Sequence, residues 1–306
     1  MRIMVTGSNG MVGKNLLEHL STSSFEILAP LRGELDLFNC IDVEDYVSCV
    51  KPDLIIHTAG KVGGIQANMR EPVRFLLENL DIRRNIVCAA HKAGVKRLIN
   101  LASSCVYPRN APNPLHEEAI LTGELEPTNE GYALAKITVA RLCQYISLQY
   151  PDFKYKTILP CNLYGRWDKF DPAHSHLIPA IIHKLHQAVI NGHNEVEIWG
   201  DGTARREFMC SEDLADCLIR AIDHFDSMPL IMNVGLGYDH SINEYYETTA
   251  QVVGYKGGFV HNLSKPVGMK QKLVDIEKLT QWGWHSQISI LNGLTSTYEF
   301  YRKHVV

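Results

Sequence analysis

Three side chains that can do chemistry stand together where a predicted strand ends. The apolar run of NLASSCVYP, residues 100–108, stops at Ala102 and is followed by Ser103, Ser104 and Cys105. A hydroxyl can hold a carbonyl oxygen, and a thiolate can remove a proton from carbon if its surroundings lower the pKa of the thiol. A serine that caps a turn and a small buried cysteine would explain the same residues. The segment is therefore either scaffold or part of a reactive site.

A second chemical pattern lies further along the chain. Tyr132 and Lys136 in YALAK are four residues apart, which places both on one face of a helix. A free tyrosine has a pKa of about 10, and a neighbouring ammonium lowers that pKa because it stabilises the phenolate. We expect this pair to exchange a proton with a reactant.

A glycine-rich turn near the start of the chain predicts a dinucleotide site. TGSNGMVG follows the first apolar strand and opens the first helix, with glycines at positions 7, 10 and 13. Glycines there permit a tight turn and let backbone N–H groups approach a pyrophosphate. Arg32 follows the second predicted strand and favours the 2′-phosphate of NADP, although a solvated loop charge would look the same.

The remaining pattern predicts the elements that position these residues. Short apolar strands alternate with helices as far as NLYG, which predicts an α/β fold with a Rossmann-like, doubly wound parallel sheet. We expect residues 1–165 to form the dinucleotide-binding domain, joined by about 207–238 and part of the C-terminus. The irregular stretches 166–206 and 239–275 are expected to form a smaller substrate-binding lobe over the carboxyl ends of the strands.

Composition excludes several classes of function. The chain has 306 residues, 45% of them hydrophobic, and a net charge of -4, which argues against a nucleic-acid or anionic membrane partner. Its eight cysteines have no metal-ligand spacing, so neither a metal site nor a disulfide framework is expected. No signal segment or membrane span is apparent, and we expect the protein in the cytoplasm.

These segments together resemble the extended short-chain dehydrogenase/reductase family. Within it, the segments KVGGIQAN, SSCVYP, EPTNEGYALAK, NLYG, SHLIPA and WGDGTARREF are similar to the branch that converts GDP-4-keto-6-deoxy-D-mannose to GDP-L-fucose in nucleotide-sugar biosynthesis. The similarity runs over nearly the whole chain. Related 4,6-dehydratases carry an Asp–Glu pair where this chain has Ser104 and Cys105, which argues against a dehydratase.

The resemblance implies a role for each candidate residue. Ser103, Tyr132 and Lys136 would form the reductase triad, and Cys105 and His176 would be the base and acid of a 3,5-epimerisation. NADPH is the implied cofactor, with contacts from Gly7, Asn9, Gly10, Met11, Val12, Gly13, Arg32, Asp36, Leu37, Ala59, Lys61, Tyr132, Lys136, Asn162, Leu163 and His176. The implied partner is a GDP-sugar, held by Ser104, Asn162, Lys184, Trp199, Arg206 and Lys272. Family members commonly form homodimers, here through the helices at 71–93 and 130–149.

The chain departs from the family pattern at five positions. Asn9 replaces a basic residue of the glycine loop, which weakens the expectation of NADP. Gly131 and Arg166 each replace a proline, and Val267 and Gln271 replace an aspartate and an arginine. The last two positions lie near the expected sugar and nucleotide pocket and leave the hexose open.

Three functions remain compatible with the sequence. The first is the two-stage conversion to GDP-L-fucose. The second is reduction of another GDP-4-keto-deoxy sugar, such as a colitose or 6-deoxyheptose precursor, with or without epimerisation. The third is a non-catalytic sensor or scaffold that binds a dinucleotide, which the five intact catalytic candidates disfavour.

Overall fold

The computed structural model describes residues 1–171, 175–265 and 268–306. The strands in this part of the chain are β1 (Arg2–Thr6), β2 (Glu26–Leu28), β3 (Leu54–His57), β4 (Arg97–Leu101), β5 (Lys154–Pro160), β6 (Asn162–Tyr164), β7 (Glu195–Trp199), β8 (Arg205–Arg206), β9 (Phe208–Cys210), β10 (Ile231–Val234), β11 (His240–Ser241), β12 (Gly258–Asn262) and β13 (Gln271–Lys272). The helices are α1 (Met11–Leu20), α2 (Cys40–Val50), α3 (Ile65–Arg70), α4 (Pro72–Lys92), α5 (Glu130–Gln149), α6 (Leu177–Ile190), α7 (Ser211–Asp223), α8 (Ile242–Val253), α9 (Glu277–Gln281) and α10 (Ile290–His304).

A parallel sheet of six strands forms the centre of the molecule. Its order is β10-β5-β4-β3-β1-β2, and every neighbouring pair is parallel. Alternate residues of β1 enter two cores: Ile3 and Val5 pack with residues of α1 and α7, whereas Met4 packs with residues of α2 and α4. Both faces are therefore covered, and the predicted α/β fold is confirmed.

Smaller sheets lie beyond the carboxyl ends of the large one. β6 pairs with β9, β7 pairs with β12, and β8 lies between β11 and β13. A further core, which includes Ile178, Ile198 and Tyr245, fills the space among α6, α8, α10 and these strands. The predicted division of the chain into two domains stays a prediction.

The run YKTILPCNLYG, residues 155–165, is divided between two strands, β5 and β6. β4 ends at Leu101, opposite Ile158, so the last residues of β5 have only β10 as a neighbour. After Pro160 the chain turns away, and β6 pairs with β9 instead. The turn carries Asn162 out of the sheet and into the cleft described below.

Three of the departures from the family pattern have local structural roles. Gly131 lets α5 approach α4, because a Cβ there would lie 3.0 Å from the carbonyl oxygen of Pro72. Arg166 donates to Glu18 and Glu212, at 2.7 Å each. The side-chain amide of Gln271 donates to Oδ2 of Asp239 at 2.7 Å, and position 267 lies outside the described residues. No helix in the described part of the chain is long and apolar enough to cross a membrane.

A buried asparagine in β10 anchors the loop that follows Cys105. Nδ2 of Asn233 donates to the carbonyl oxygens of Leu115 and Asp275, at 2.9 and 3.0 Å. Its Oδ1 accepts the hydroxyl proton of Tyr107, and its backbone N–H donates to Oε1 of Glu117 at 2.8 Å. Through these four hydrogen bonds Asn233 fixes the path of residues 107–117.

Replacing this asparagine should destabilise the fold. Asn233→Ala leaves the Tyr107 hydroxyl and two buried carbonyl oxygens without partners, so we expect the free energy of unfolding to fall by about 3 kcal/mol. Urea denaturation followed by circular dichroism measures this loss. Asn292→Ala, at an exposed position in α10, is the control and should change little. A loss as small as that of the control would contradict the anchoring role.

Candidate active site

A cleft of about 1440 Å³ opens at the carboxyl ends of the central strands. Residues that follow β1, β3 and β4 line it, and β1 and β3 flank the point where the strand order reverses, the usual ligand site of such sheets. All the site residues predicted from the sequence line this cleft except Lys61 and Ser104. The structure therefore brings the predicted cofactor, catalytic and substrate groups into one space.

The glycine loop forms a cradle that side chains would fill. Gly7 has φ +75°, and a Cβ there would lie 2.6 Å from the backbone nitrogen of Ala59. A Cβ on Gly13 would lie 2.3 Å from the carbonyl oxygen of Gly7. Gly10, the N-cap of α1, carries no capping side chain, so the first N–H groups of the helix remain available to an anion. The cradle fits the pyrophosphate of a dinucleotide.

An arginine lies in the cleft beyond the end of β2. Arg32 is exposed, and its guanidinium lies 5.3 Å from the ring centroid of Phe38. Asp36 and Leu37 line the same region, and Oδ1 of Asp36 accepts the backbone N–H of Phe38 at 3.2 Å. Arg32 therefore offers a positive charge where a ribose phosphate would lie.

The carboxyl end of β4 and the start of α5 bring the catalytic candidates together. Ser103 precedes a 3-10 helix over Ser104–Val106, and its hydroxyl oxygen accepts the backbone N–H of Cys105 at 3.4 Å. Nζ of Lys136 donates to the carbonyl oxygens of Leu101 and Ala102, at 3.0 and 3.3 Å. The same Nζ lies 5.2 Å from the ring centroid of Tyr132. Serine, cysteine, tyrosine and lysine thus share one corner of the cleft.

Burial disfavours the charged forms of the cysteine, the tyrosine and the lysine. It raises the pKa of the Cys105 thiol, against an opposing effect of Lys272, Lys136 and Arg83. It also raises the pKa of the Tyr132 hydroxyl, which the Cys105 thiolate raises further and the Arg83 guanidinium lowers. The pKa of Lys136 is well below its ordinary value because of burial and then of Arg83.

The structure adds a cation that the sequence did not indicate. The expectation that an ammonium on Lys136 lowers the pKa of Tyr132 stays a prediction, and burial of the lysine beside this second cation disfavours the ammonium. The positive charge that lowers the pKa of Tyr132 comes from Arg83. Neither the spacing of YALAK nor the glycine loop could have indicated this arginine.

His176 lines the same cleft from a different element. It is the N-cap of α6, and its pKa is lowered by burial and by the nearby charges of Lys169 and Lys272. Asp168 lines the cleft as well. Burial raises the pKa of its carboxyl group to about 7, and its Oδ2 has no hydrogen-bond partner. The sequence reading passed over Asp168 and Lys169 because they lie in a stretch without periodicity.

Three basic side chains line a further part of the cleft wall, beside the carboxylate of Glu197. Lys184 donates to the carbonyl oxygen of Glu197, and Arg206 lies beside Lys272 across the β8–β13 pair. Burial lowers the pKa of all three basic side chains. Trp199, also in the wall, is 40% exposed. Cations and an accessible indole suit an anionic group joined to a flat ring.

Two predicted contacts lie elsewhere. Nζ of Lys61 pairs with Glu71 and Glu78, at 3.2 and 3.6 Å, and turns away from the cleft. Ser104 is 2% exposed within the 3-10 helix and does not line the cavity. Their assignments to cofactor and substrate stay predictions, and the lysine has a local structural role because it joins its loop to α4.

Comparisons with known proteins agree with this geometry. A model of the NAD dependent epimerase/dehydratase family matches residues 3–235. The chain is 50% identical to GDP-L-colitose synthase from Yersinia pseudotuberculosis over 301 residues, which cover 98% of each protein. It is 48% identical to GDP-L-fucose synthase from Azorhizobium caulinodans over 300 residues, which cover 98% of this chain and 96% of that protein.

A solved structure extends the similarity to the fold. MlghC, a GDP-mannoheptose C4 reductase from Campylobacter jejuni with NADP bound, matches with a TM-score of 0.89 and 31% identity, and the match covers 98% of both chains. The resemblance inferred from the motifs is thereby confirmed. Because the family model spans most of the chain and these relatives match along nearly its full length, this chain belongs to the NAD dependent epimerase/dehydratase family.

Proposed function

We propose that this protein is an NADPH-dependent epimerase/reductase that converts GDP-4-keto-6-deoxy-D-mannose to GDP-L-fucose. The observation that carries the proposal is one cleft lined by a dinucleotide cradle, a Ser–Tyr–Lys set, a cysteine, a histidine and three basic side chains. A reductase of another substrate class would have no need of the cysteine and the histidine. The similarity to GDP-L-fucose synthase and GDP-L-colitose synthase supports the same substrate class.

The cofactor assignment rests on two parts of the cleft. The cradle at Gly7 and Gly13 would hold the pyrophosphate, and Arg32 would pair with the 2′-phosphate that distinguishes NADP from NAD. NADPH, when bound, supplies a hydride. The related reductase from Campylobacter jejuni holds NADP in its solved structure.

The reductase residues act on the oxygen at C4. Ser103 donates a hydrogen bond to the ketone oxygen, and the Tyr132 hydroxyl transfers its proton to that oxygen as it becomes an alkoxide. Lys136 is held by the carbonyl oxygens at the end of β4, where it orients the cofactor ribose and keeps the tyrosine in place. These groups position one oxygen atom and supply one proton.

The epimerisation residues act on C3 and C5, whose protons are acidified by the C4 ketone. The thiolate of Cys105 removes a proton, and His176 returns one to the opposite face, so that the centre is inverted. The substrate diphosphate, bound against Arg206 and Lys272, would favour the imidazolium form of His176 by its negative charge. The histidine can then serve as the acid.

The alternative substrate is another GDP-4-keto-deoxy sugar. The similarity to a colitose synthase and to a mannoheptose C4 reductase favours this alternative over a sensor without activity. The same residues would carry the reduction, and the product would show whether one, both or neither of the two centres is inverted.

We also propose a homodimer and a cytoplasmic location. Large apolar side chains are exposed on the outer faces of α4 and α5, namely Val73, Leu77, Leu134, Tyr145 and Leu148. A second copy would cover them in a four-helix contact. Eight unpaired cysteines suit a reducing compartment that supplies NADPH and GDP-sugars.

Turnover in deuterated water tests the function and the role of Cys105. With GDP-4-keto-6-deoxy-D-mannose and NADPH we expect GDP-L-fucose that carries deuterium at C3 and C5, detected by NMR and mass spectrometry. Cys105→Ser should suppress deuterium exchange far more than hydride transfer to an already epimerised ketone, because serine is a much weaker acid than cysteine.

A control variant and the wild-type product distinguish the proposed function from its alternatives. Cys40→Ser removes an exposed thiol and should behave as the wild type. Equal loss of exchange and of hydride transfer in Cys105→Ser would make the cysteine a positioning residue. Reduction without exchange in the wild type would support a C4 reductase, and no NADPH consumption with this sugar or a heptose analogue would refute the proposed function.

Removing the charge of Arg32 should change the choice of cofactor. In Arg32→Ala the 2′-phosphate loses its cationic partner, so we expect kcat/KM for NADPH to fall at least about tenfold while that for NADH changes little. Initial rates with the two cofactors give this ratio. Arg302→Ala, an exposed arginine of α10, controls for net charge. An unchanged ratio in Arg32→Ala would mean that another group reads the phosphate.

A further inference from the structure

Arg83 is a buried arginine of α4 whose guanidinium reaches the end of β4. It is 1% exposed, and its Nη1 donates to the carbonyl oxygen of Leu101 at 2.7 Å and to Oδ1 of Asn100 at 3.1 Å. Gly60 makes room for it, because a Cβ there would lie 2.8 Å from Nη2. Arg83 also forms part of the cleft wall. The chain thus places a permanent cation beneath the catalytic corner.

This cation has no acidic partner in the described part of the chain. Its hydrogen bonds go to neutral oxygens, no carboxylate pairs with it, and Nε has no partner. A buried charge without a counterion costs folding free energy, because burial removes its hydration. The position of Arg83 is therefore costly for the fold, as is common for groups that serve a reaction.

The side chains of Arg83 and Lys136 lie in the same buried space and share a hydrogen-bond acceptor. Nη1 of Arg83 and Nζ of Lys136 donate to one atom, the carbonyl oxygen of Leu101. Burial lowers the pKa of Arg83 to about 10, so it stays protonated near neutral pH. The pKa of Lys136 is lowered by burial and by this neighbour. The guanidinium therefore disfavours the charged form of the lysine.

His57 adds no charge to the corner. Its Nδ1 lies 2.7 Å from the hydroxyl of Thr6, and its Nε2 has no partner. Burial lowers the pKa of this imidazole well below its ordinary value, with smaller contributions from Arg83 and Lys136. The histidine is therefore neutral near pH 7, and the arginine keeps the fixed charge.

The charged groups around Cys105 and Tyr132 determine how the charge of Arg83 can affect the pKa values of these two side chains. Cys105 lies within the electrostatic reach of Lys272, Lys136 and Arg83, and its thiol interacts with Ser103. For Tyr132 the interacting charges are the Cys105 thiolate and the Arg83 guanidinium, and the ring packs edge-on against Phe75. Arg83 is common to both sets.

We propose that Arg83 is a positioning residue that supplies the fixed positive charge behind Tyr132 and Cys105, and so stabilises their anionic forms. The role in the reaction rests on the proposed function, whereas the effect on the cysteine can be measured without it. The arginine acts through the two side chains and need not touch the substrate.

Three variants of the full-length protein test the proposal. Arg83→Gln keeps a side chain that can hydrogen-bond but removes the charge, and Arg83→Lys restores a charge. Arg84→Gln removes the neighbouring exposed arginine, which pairs with Asp81, and serves as the matched control. The pH dependence of Cys105 alkylation by iodoacetamide is followed by mass spectrometry of the peptide that contains this cysteine, which separates it from the other thiols.

Because Lys272 and Lys136 act on Cys105 more strongly than Arg83 does, we expect the midpoint of alkylation to rise by about half a pH unit in Arg83→Gln. It should return toward the wild-type value in Arg83→Lys and stay unchanged in Arg84→Gln. The alkaline limb of kcat/KM for NADPH oxidation should move upward in the same variant, because the acid Tyr132 keeps its proton to higher pH. The melting temperature of Arg83→Gln should equal or exceed that of the wild type.

Two results would overturn the proposal. One is an unchanged alkylation midpoint in Arg83→Gln, and the other is a lower melting temperature with an unchanged pH profile, which would make the arginine structural. If Arg83→Gln does not fold, the structural role is favoured unless Arg83→Met folds and shows the upward shift. Absence of turnover in the wild type would refute the proposed function, and the alkylation data would still decide the role of Arg83.

Discussion

The carbonyl oxygen of Leu101 accepts hydrogen bonds from two buried basic side chains, and the candidate catalytic corner is built around that oxygen. Leu101 is the last residue of β4, whereas β3 ends opposite the residue before it. No N–H group of β3 therefore donates to this carbonyl oxygen. Lys136 reaches it from α5 and Arg83 reaches it from α4, so two helices are tied to one strand end. The positions of Ser103 and Cys105, which follow directly in the chain, depend on this junction.

The same constraint explains why the pocket departs from the simple picture of a tyrosine activated by a lysine. Two adjacent positive charges repel each other strongly in a low-dielectric corner that has no counterion. The more basic guanidinium therefore keeps its proton. The lysine is then better described as a hydrogen-bond donor that orients its surroundings. Binding of an anionic ligand would change this balance, because it adds a negative charge near the two basic side chains.

Local pattern was sufficient for the elements and for the residues that lie in motifs. The first helix begins directly after the glycine turn, as the sequence predicts, and residues of the glycine loop, of YALAK and of SSCVYP line one cleft. Pattern failed where orientation is set by tertiary packing. Arg83 and Arg84 are adjacent in sequence, yet one is buried and the other exposed, because only the first faces the sheet. Lys61 turns away from the cleft because it pairs with Glu71, the N-cap of α4, and with Glu78 in that helix.

The close approach of α4 and α5 at Gly131 also brings together the two helices that carry the tyrosine and its neighbouring cation. Arg83 and Tyr132 belong to these helices, and hydrogen bonds from both helices reach the end of β4. Cys105 follows that strand end in the chain, whereas His176 is the N-cap of α6. A displacement of α6 relative to β4 would therefore alter the spacing of Cys105 and His176, the proposed base and acid, while Tyr132 kept its place. The two proposed chemical stages would then differ in their sensitivity to solvent viscosity.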